Sequence, residues 1–224
     1  MRLNVIKGGT VGAQPIVFVH GLGSSAATWT RCMELLAPRF EVLAVDLLGH
    51  GDSPVPDDPD AYTRDLALAD LDEVLAALHS PAVLVGHSLG GYLSLAHAVT
   101  RPQVARAIVV INTGPGFRDP DKRQAWNDRS IRNANKFGVP PQVTNLNLQN
   151  DSVVMEHLAD VSVPILVLAG ERDRPEYIAS GEYLERKVPH ARLHVIAGGE
   201  HSMHETTHAA EVAAAIEDFI FAQG

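Results

Sequence analysis

The stretch Ala82-Val83-Leu84-Val85-Gly86-His87-Ser88-Leu89-Gly90-Gly91, running on into Tyr92 to Val99, decides how this chain is read. Four apolar residues in a row predict a strand buried on both faces. Leu89, Tyr92, Leu93 and Ala96 then follow the i, i+3, i+4, i+7 spacing of a helix. A strand that turns into a helix through G-x-S-x-G is the setting a nucleophile elbow requires. The turn holds its serine in a strained backbone conformation, and the flanking glycines let neighbouring segments pack close. The hydroxyl then projects from the strand's carboxyl end. At the adjoining helix N-terminus, unpaired N–H groups and the dipole favour negative charge developing on an attacked acyl group.

Outward from this turn, short apolar runs bounded by Gly or Pro recur at Pro15 to His20, Glu41 to Leu47, Ala105 to Ile111, Pro164 to Ala169 and Ala191 to Ile196. All predict buried strands of a mostly parallel sheet. Between them lie helical patterns: Trp29, Cys32, Met33, Leu36; Leu71, Val74, Leu75, Leu78; and, last, Ala209, Val212, Ala213, Ile216, Ile220. The alternation predicts an α/β fold with helices on both faces of the sheet. Before Pro15 there is room for one short strand near Leu3 to Lys7, but hardly for a hairpin.

The alternation breaks once, across 114–161, where no buried strand is visible and Asn, Arg, Gln and Pro are frequent. Connections in compact domains are far shorter, so the domain reading is a core of 1–113 and 162–224 with a short helical cap or lid insertion at 114–161. Asp119-Pro120 predicts an N-cap with Pro at N1, and Gly138 before Pro140-Pro141 predicts a helix stop. Arg118, Lys122, Arg123, Arg129, Arg132 and Lys136 face only Asp119, Asp121 and Asp128 over this part of the insertion. A solvated helix face is the expected reading, attraction of a carboxylate-bearing substrate the other.

The chain of 224 residues carries 18 Lys plus Arg against 27 Asp plus Glu, a formal charge of −9. That balance excludes nucleic-acid binding driven by bulk charge. One cysteine, Cys32, allows neither an intrachain disulfide nor a cysteine-rich zinc site; it sits on an apolar helix stripe, as a core residue would. Met1 to Pro15 shows no secretion signal, and no run of about 18 apolar residues predicts membrane insertion. The expected compartment is reducing and cytoplasmic.

A serine hydroxyl needs a base to take its proton, and the base needs an acid to orient it. In the chain order Ser, acid, His, Asp173 follows the run Ile165 to Ala169 and His201 follows Leu193 to Ile196. Both fall beyond strand carboxyl ends, where catalysis gathers in α/β sheets. Upstream, His20-Gly21-Leu22-Gly23 closes the first buried strand and offers the Leu22 N–H beside that of Leu89. On these residues the chain resembles the α/β-hydrolase family, in particular its Ser-nucleophile esterase and lipase-like members. The resemblance spans nearly the whole sequence. It implies Ser88 as nucleophile, His201 as general base and acid, Asp173 as orienting acid, and Leu22 and Leu89 N–H groups as oxyanion hole. The run Asp46 to Ser53 resembles a structural loop of the family. Asn112 cannot supply the alternative acid that some relatives carry after this strand.

The resemblance further implies a cofactor-free, metal-free enzyme acting on a small-molecule substrate, a carboxylic ester or a related lactone or thioester. Two other readings stand beside it: a C–C bond hydrolase acting beside a carbonyl, and a ligand-binding or signalling protein on the same scaffold. Trp126, Ile131, Phe137, Leu146 and Leu148 are the candidate substrate-pocket residues. Nothing in the sequence addresses oligomeric state.

Two motifs compete. His204-Glu205-Thr206-Thr207-His208 spells H-E-x-x-H, a zinc motif when helical, but its histidines are expected on the polar face of the last helix. Gly21-Leu22-Gly23-Ser24-Ser25-Ala26 fits a dinucleotide fingerprint, with Asp46 twenty residues beyond Ala26. The elbow accounts for Ser88, Asp173 and His201 together, and the fingerprint for none of them. His20, His50 and His87 are expected as structural hydrogen-bonders.

Overall fold

A computed structural model describes residues 2–101 and 105–223. Its sheet has seven strands, β1 Val5–Gly9, β2 Pro15–Val19, β3 Glu41–Val45, β4 Ala82–His87, β5 Ala105–Ile111, β6 Ile165–Gly170 and β7 Ala191–Ile196. They lie in the order β1-β3-β2-β4-β5-β6-β7, with β1 antiparallel to β3 and every other pair parallel. The single opening strand expected from the short N-terminal segment is β1.

Alternation along β2 divides the core. Ile16 and Phe18 face a layer that includes α1 Thr30–Leu36 and α7 Ala209–Phe221, with Trp29, Cys32, Val212 and Ile216 buried in it. Val17 and Val19 face the other layer, with Leu68 and Leu71 of α2 Arg64–Ala76, Leu93 of α3 Leu89–Thr100 and Leu184 of α6 Pro175–Lys187. Both faces of the central strands are therefore dry, which is why their sequences run apolar without alternation. Strand β7 departs from that expectation: it is an edge, and Arg192, His194 and Val195 are exposed.

Between β5 and β6 lie α4 Pro120–Arg132, α5 Val153–Glu156 and three short 3-10 turns. The Asp119 side chain accepts from the N–H groups of Asp121 and Lys122, as the cap motif predicts. The helix ends before the predicted stop, since Arg132 is its last residue and Gly138 follows a separate turn, Ala134–Lys136. The segment also belongs to the main core, because Val143, Leu146, Val154 and Leu158 are buried in the same layer as α2 and α3. Helix α6 lies between β6 and β7 without a sequence signature of its own: its polar face and exposed Glu and Arg residues hide the stripe of which Leu184 and Gly181 are the buried members. Among the described residues no helix is long and apolar enough to cross a membrane.

Candidate active site

The elbow forms where the motif places it. Ser88 has φ 51° and ψ −113°, a left-handed conformation that costs an L-residue on the order of 1–3 kcal/mol and persists only where surroundings impose it. Here its N–H donates to Ile111 O at 2.9 Å and its carbonyl accepts from Thr113 Oγ1 at 2.7 Å, so the end of β5 grips both sides of the turn. Gly90 packs against β2: a Cβ there would meet Val19 O at 2.2 Å.

The second loop, Gly21 to Ser25, is held by two buried histidines. His20 Nε2 accepts from Leu47 N at 3.0 Å, so its Nδ1 is the donor to Gly21 O at 2.7 Å. His50 likewise accepts from Gly23 N at 3.0 Å through Nε2 and donates to Leu48 O at 3.1 Å through Nδ1. Burial, with His50 nearby, pushes His20 down to about 4, which keeps that single tautomer at neutral pH. Asp46 braces the same loop, accepting from Ala26 N at 2.6 Å, Asn4 Nδ2 at 2.8 Å and Asp52 N at 3.0 Å. Burial pushes the Asp46 carboxyl up, and these hydrogen bonds outweigh it to hold the group below its ordinary value. A carboxylate engaged in this way is spent on the chain's own N–H groups, and the dinucleotide reading loses the residue it assigns to a ribose. The Leu22 and Leu89 N–H groups donate to no acceptor among the described residues, and each residue lines a cavity that Ser88 also lines.

Asp173 and His201 meet across the ends of β6 and β7. His201 Nδ1 lies 2.6 Å from Asp173 Oδ2, and Asp173 Oδ1 accepts from Arg174 N at 2.8 Å. A carboxylate at Nδ1 places the proton there and leaves Nε2 as an acceptor. The Asp173 side chain is 7% exposed and that of His201 42%, so the acid is shielded while the imidazole reaches the cavity. Ser88 and His201 line a common cavity, and among the described residues Ser88 Oγ has no hydrogen-bond partner; nucleophile–base contacts of this kind often tighten only when substrate binds.

The polypeptide around the His201 loop is pinned by Asn112, which the sequence did not single out for this role, and by His87, expected as a structural hydrogen-bonder. Asn112, at φ 48° just after β5, donates from Nδ2 to Glu200 O at 3.0 Å and His201 O at 2.8 Å, and its Oδ1 accepts from Gly170 N at 2.8 Å. One amide thus ties the acid-bearing loop to the histidine-bearing loop. His87 donates from Nε2 to the same His201 carbonyl at 2.9 Å; burial, then His204 and His201, pushes it well below its ordinary range. An Asn in a left-handed position at a strand's carboxyl end was a readable signal only once its neighbours were known.

His204 corrects an expectation. It lies before α7, not on its polar face, and is buried between Trp29 and His87 with ring centroids 4.2 and 4.3 Å away. Neither ring nitrogen has a partner, and burial pushes the group down to about 3. His208 stands at the helix entrance, so H-E-x-x-H is not helical, and among the described residues no group of three or more metal-ligating side chains is assembled.

Over Ser88 two cavities open beneath the β5–β6 segment. One, of about 350 Å³, extends from Ser88 past Tyr92, Phe117 and Trp126; the other, of about 640 Å³, reaches Leu22, Phe137 and His201. These volumes suit a small ligand. Of the predicted pocket residues, Trp126 and Phe137 line them. The other three do not: Leu146 is buried in the core, Ile131 is 58% exposed on the outer face of α4, and Leu148 lies outside both cavities. A helix and a 3-10 turn side by side bury different faces than a single regular helix would, and the core claims Leu146. Tyr92, Gln149, Arg174 and Tyr177 line the walls instead.

Comparison with known proteins gives this geometry a family. A model described as "Alpha/beta hydrolase family" matches residues 16–146, more than half of the chain. The chain belongs to the alpha/beta hydrolase family. This hydrolase is 29% identical to a pimeloyl-[acyl-carrier protein] methyl ester esterase of Xanthomonas campestris pv. campestris (strain B100), over 99% of each chain. It is 23% identical, over 91% of its length and 89% of the relative's, to a Bacillus subtilis (strain 168) protein provisionally designated a 2-succinyl-6-hydroxy-2,4-cyclohexadiene-1-carboxylate synthase. MenH from S. aureus shares the fold with a TM-score of 0.85 at 18% identity, covering 99% of this chain and 98% of that one.

Proposed function

We propose that this hydrolase cleaves carboxylic esters, or related lactones and thioesters, through a Ser88–His201–Asp173 triad and an acyl-enzyme. The observation that carries the reading is the 2.6 Å His201–Asp173 contact at the mouth of a cavity that Ser88 also lines. Ser88 Oγ attacks the carbonyl carbon while His201 Nε2 takes its proton, and the displaced electron pair on the carbonyl oxygen is met by the Leu22 and Leu89 N–H groups. Collapse expels the alkoxide, which receives the proton from His201. Water, deprotonated by the same imidazole, then attacks the acyl-enzyme and releases the acid and Ser88. The balance is ester plus water to acid plus alcohol, with no cofactor. In this reading the β5–β6 segment acts as the cap that shapes the acyl site. A ligand-binding role on the same scaffold would leave Ser88 unactivated.

Fluorophosphonate labelling tests the activated serine without a guess about substrate. The adduct is expected at Ser88 by mass spectrometry and absent in His201→Ala. Ser88→Ala is expected to lower kcat/KM for an aryl ester by roughly a thousandfold or more at unchanged melting temperature. Retained turnover in Ser88→Ala, or no adduct on folded parent protein, overturns the proposal.

A further inference from the structure

The roof over Ser88 is basic in a protein of formal charge −9. Lys122, Arg129 and Arg174 line the 350 Å³ cavity, and Arg129, Arg174 and Lys136 the 640 Å³ one. The described carboxylates on these walls are Glu176 and Asp173, and Asp173 is taken by His201. Other basic side chains of the region are spent on the fold: Arg64 grips Asp151 at 2.7 and 2.9 Å, Arg123 donates to Ser152 Oγ at 2.6 Å, and Arg118 donates to Met155 O at 3.0 Å. Among the described residues Lys122, Arg129, Lys136 and Arg174 form no ion pair. The Arg129 guanidinium carbon lies over the Trp126 ring, 4.9 Å from its centroid, and among the described residues its N–H fork has no hydrogen-bond partner.

A second observation on the same wall points to a ligand. Gln149 is 8% exposed and lines the 350 Å³ cavity, and its fully buried Oε1 has no hydrogen-bond partner among the described residues. An orphaned buried amide costs about 1–3 kcal/mol unless something polar meets it. Like charges gathered without counter-ions also repel one another, and an arriving anion relieves that repulsion, while the Gln149 Oε1 acceptor takes an N–H or O–H donor elsewhere on the same ligand.

We infer that the acyl substrate of this site carries a second, anionic group, a carboxylate or phosphate, which Arg129 and its basic neighbours hold while Ser88 attacks the ester. The inference rests on the hydrolase reading and names its substrate class. A planar guanidinium meets either oxyanion with paired hydrogen bonds, so the two sources share one chemistry.

The test compares p-nitrophenyl hydrogen adipate with p-nitrophenyl hexanoate, which differ in the terminal carboxylate. The hemiester is expected to have the higher kcat/KM by about tenfold, and Arg129→Gln to cut the hemiester-to-hexanoate ratio by about tenfold. The preference should also shrink as salt rises from about 20 mM to about 500 mM. Arg129 is solvent-exposed on α4, so the variant is expected to fold. A hexanoate ester ending in a phosphate identifies phosphate as the group if it outruns the hemiester, and again loses its advantage in Arg129→Gln. Equal rates on charged and neutral esters, or a ratio that Arg129→Gln leaves unchanged, overturn the inference while leaving the triad standing. If neither ester turns over and Ser88 takes no fluorophosphonate, the hydrolase reading fails, and calorimetric titration with adipate decides the anion site. Binding weakened about tenfold by Arg129→Gln supports it; no binding, or equal binding, overturns it.

Discussion

The floor and the roof of this site are built differently. The floor, made of the elbow, the Gly21–Ser25 loop and the ends of β5 to β7, is gripped by hydrogen bonds to main-chain atoms: Ser88 by Ile111 and Thr113, Gly23 by His50, and the His201 loop by Asn112 and His87. The roof is held by bonds of the same kind made from half-buried side chains, with Trp126 Nε1 on Asn147 O, Asn127 reciprocally on the Gln149 main chain, and Arg64 on Asp151, whereas His50, His87 and Asn112 of the floor are buried. Floor and roof come close at Gly23, which at φ 73° sits so near Phe137 O that a Cβ would lie 2.2 Å from it. A floor gripped by buried side chains keeps its geometry within tight limits, whereas a roof gripped by half-buried ones is freer to change which ligand fits.

Breaking the floor should cost more than loosening the roof. Asn112→Asp places a carboxylate oxygen against the carbonyls of Glu200 and His201, where the amide now donates. The expected result is a fall of about 100-fold in kcat, since a buried acceptor facing acceptors costs on the order of 3 kcal/mol. Asn112→Ala, which removes the donor without repulsion, should lose less. Steady-state kinetics beside thermal melts check this, and equal effects of the two variants would break the positioning role. On the roof, Asp151→Asn leaves the half-buried Arg64 without its charge partner. The expected effect is a KM raised about threefold with kcat little changed, because exposed pairs of this kind are worth only about 1 kcal/mol.

The smallest change sharpens the comparison from beneath. His204→Phe fills the same slot between Trp29 and His87 and deletes two ring nitrogens that have no partner. Stability at pH 7 is expected to rise by about 1 kcal/mol in urea titrations. The acid limb is also expected to flatten. His204, at about 3, and His20, at about 4, both lie below the ordinary histidine value near 6.5, so between those limits the unfolded chain binds protons that the native one refuses. Native stability is therefore full above about pH 6.5 and declines as pH falls toward 4. Removing His204 removes one such group, and an unchanged slope between pH 6.5 and 4 would show that it contributes none.

Seen residue by residue, legibility followed locality. The serine turn, Asp173 and His201 could be placed because each lies within a few residues of a strand whose apolar run announces it. Leu146 and Leu148 could not be sorted, since one apolar residue in an irregular segment looks the same whether the core or a cavity receives it. His204 lies off the expected face because a histidine between Met203 and Glu205 carries no mark of the Trp29 ring that covers it, a residue 175 positions away.

By itself the sequence determined the α/β order, the strained serine turn and the three groups that can make one chemistry, because strand periodicity and turn geometry act over a handful of residues. Tertiary structure alone decided which basic side chains were spent on the fold and which were left facing the cavity. It also made Asn112 the tie between two loops 58 and 89 residues downstream. Burial, charge pairing and hydrogen-bond satisfaction depend on what stands opposite a side chain, and that partner comes from distant parts of the chain.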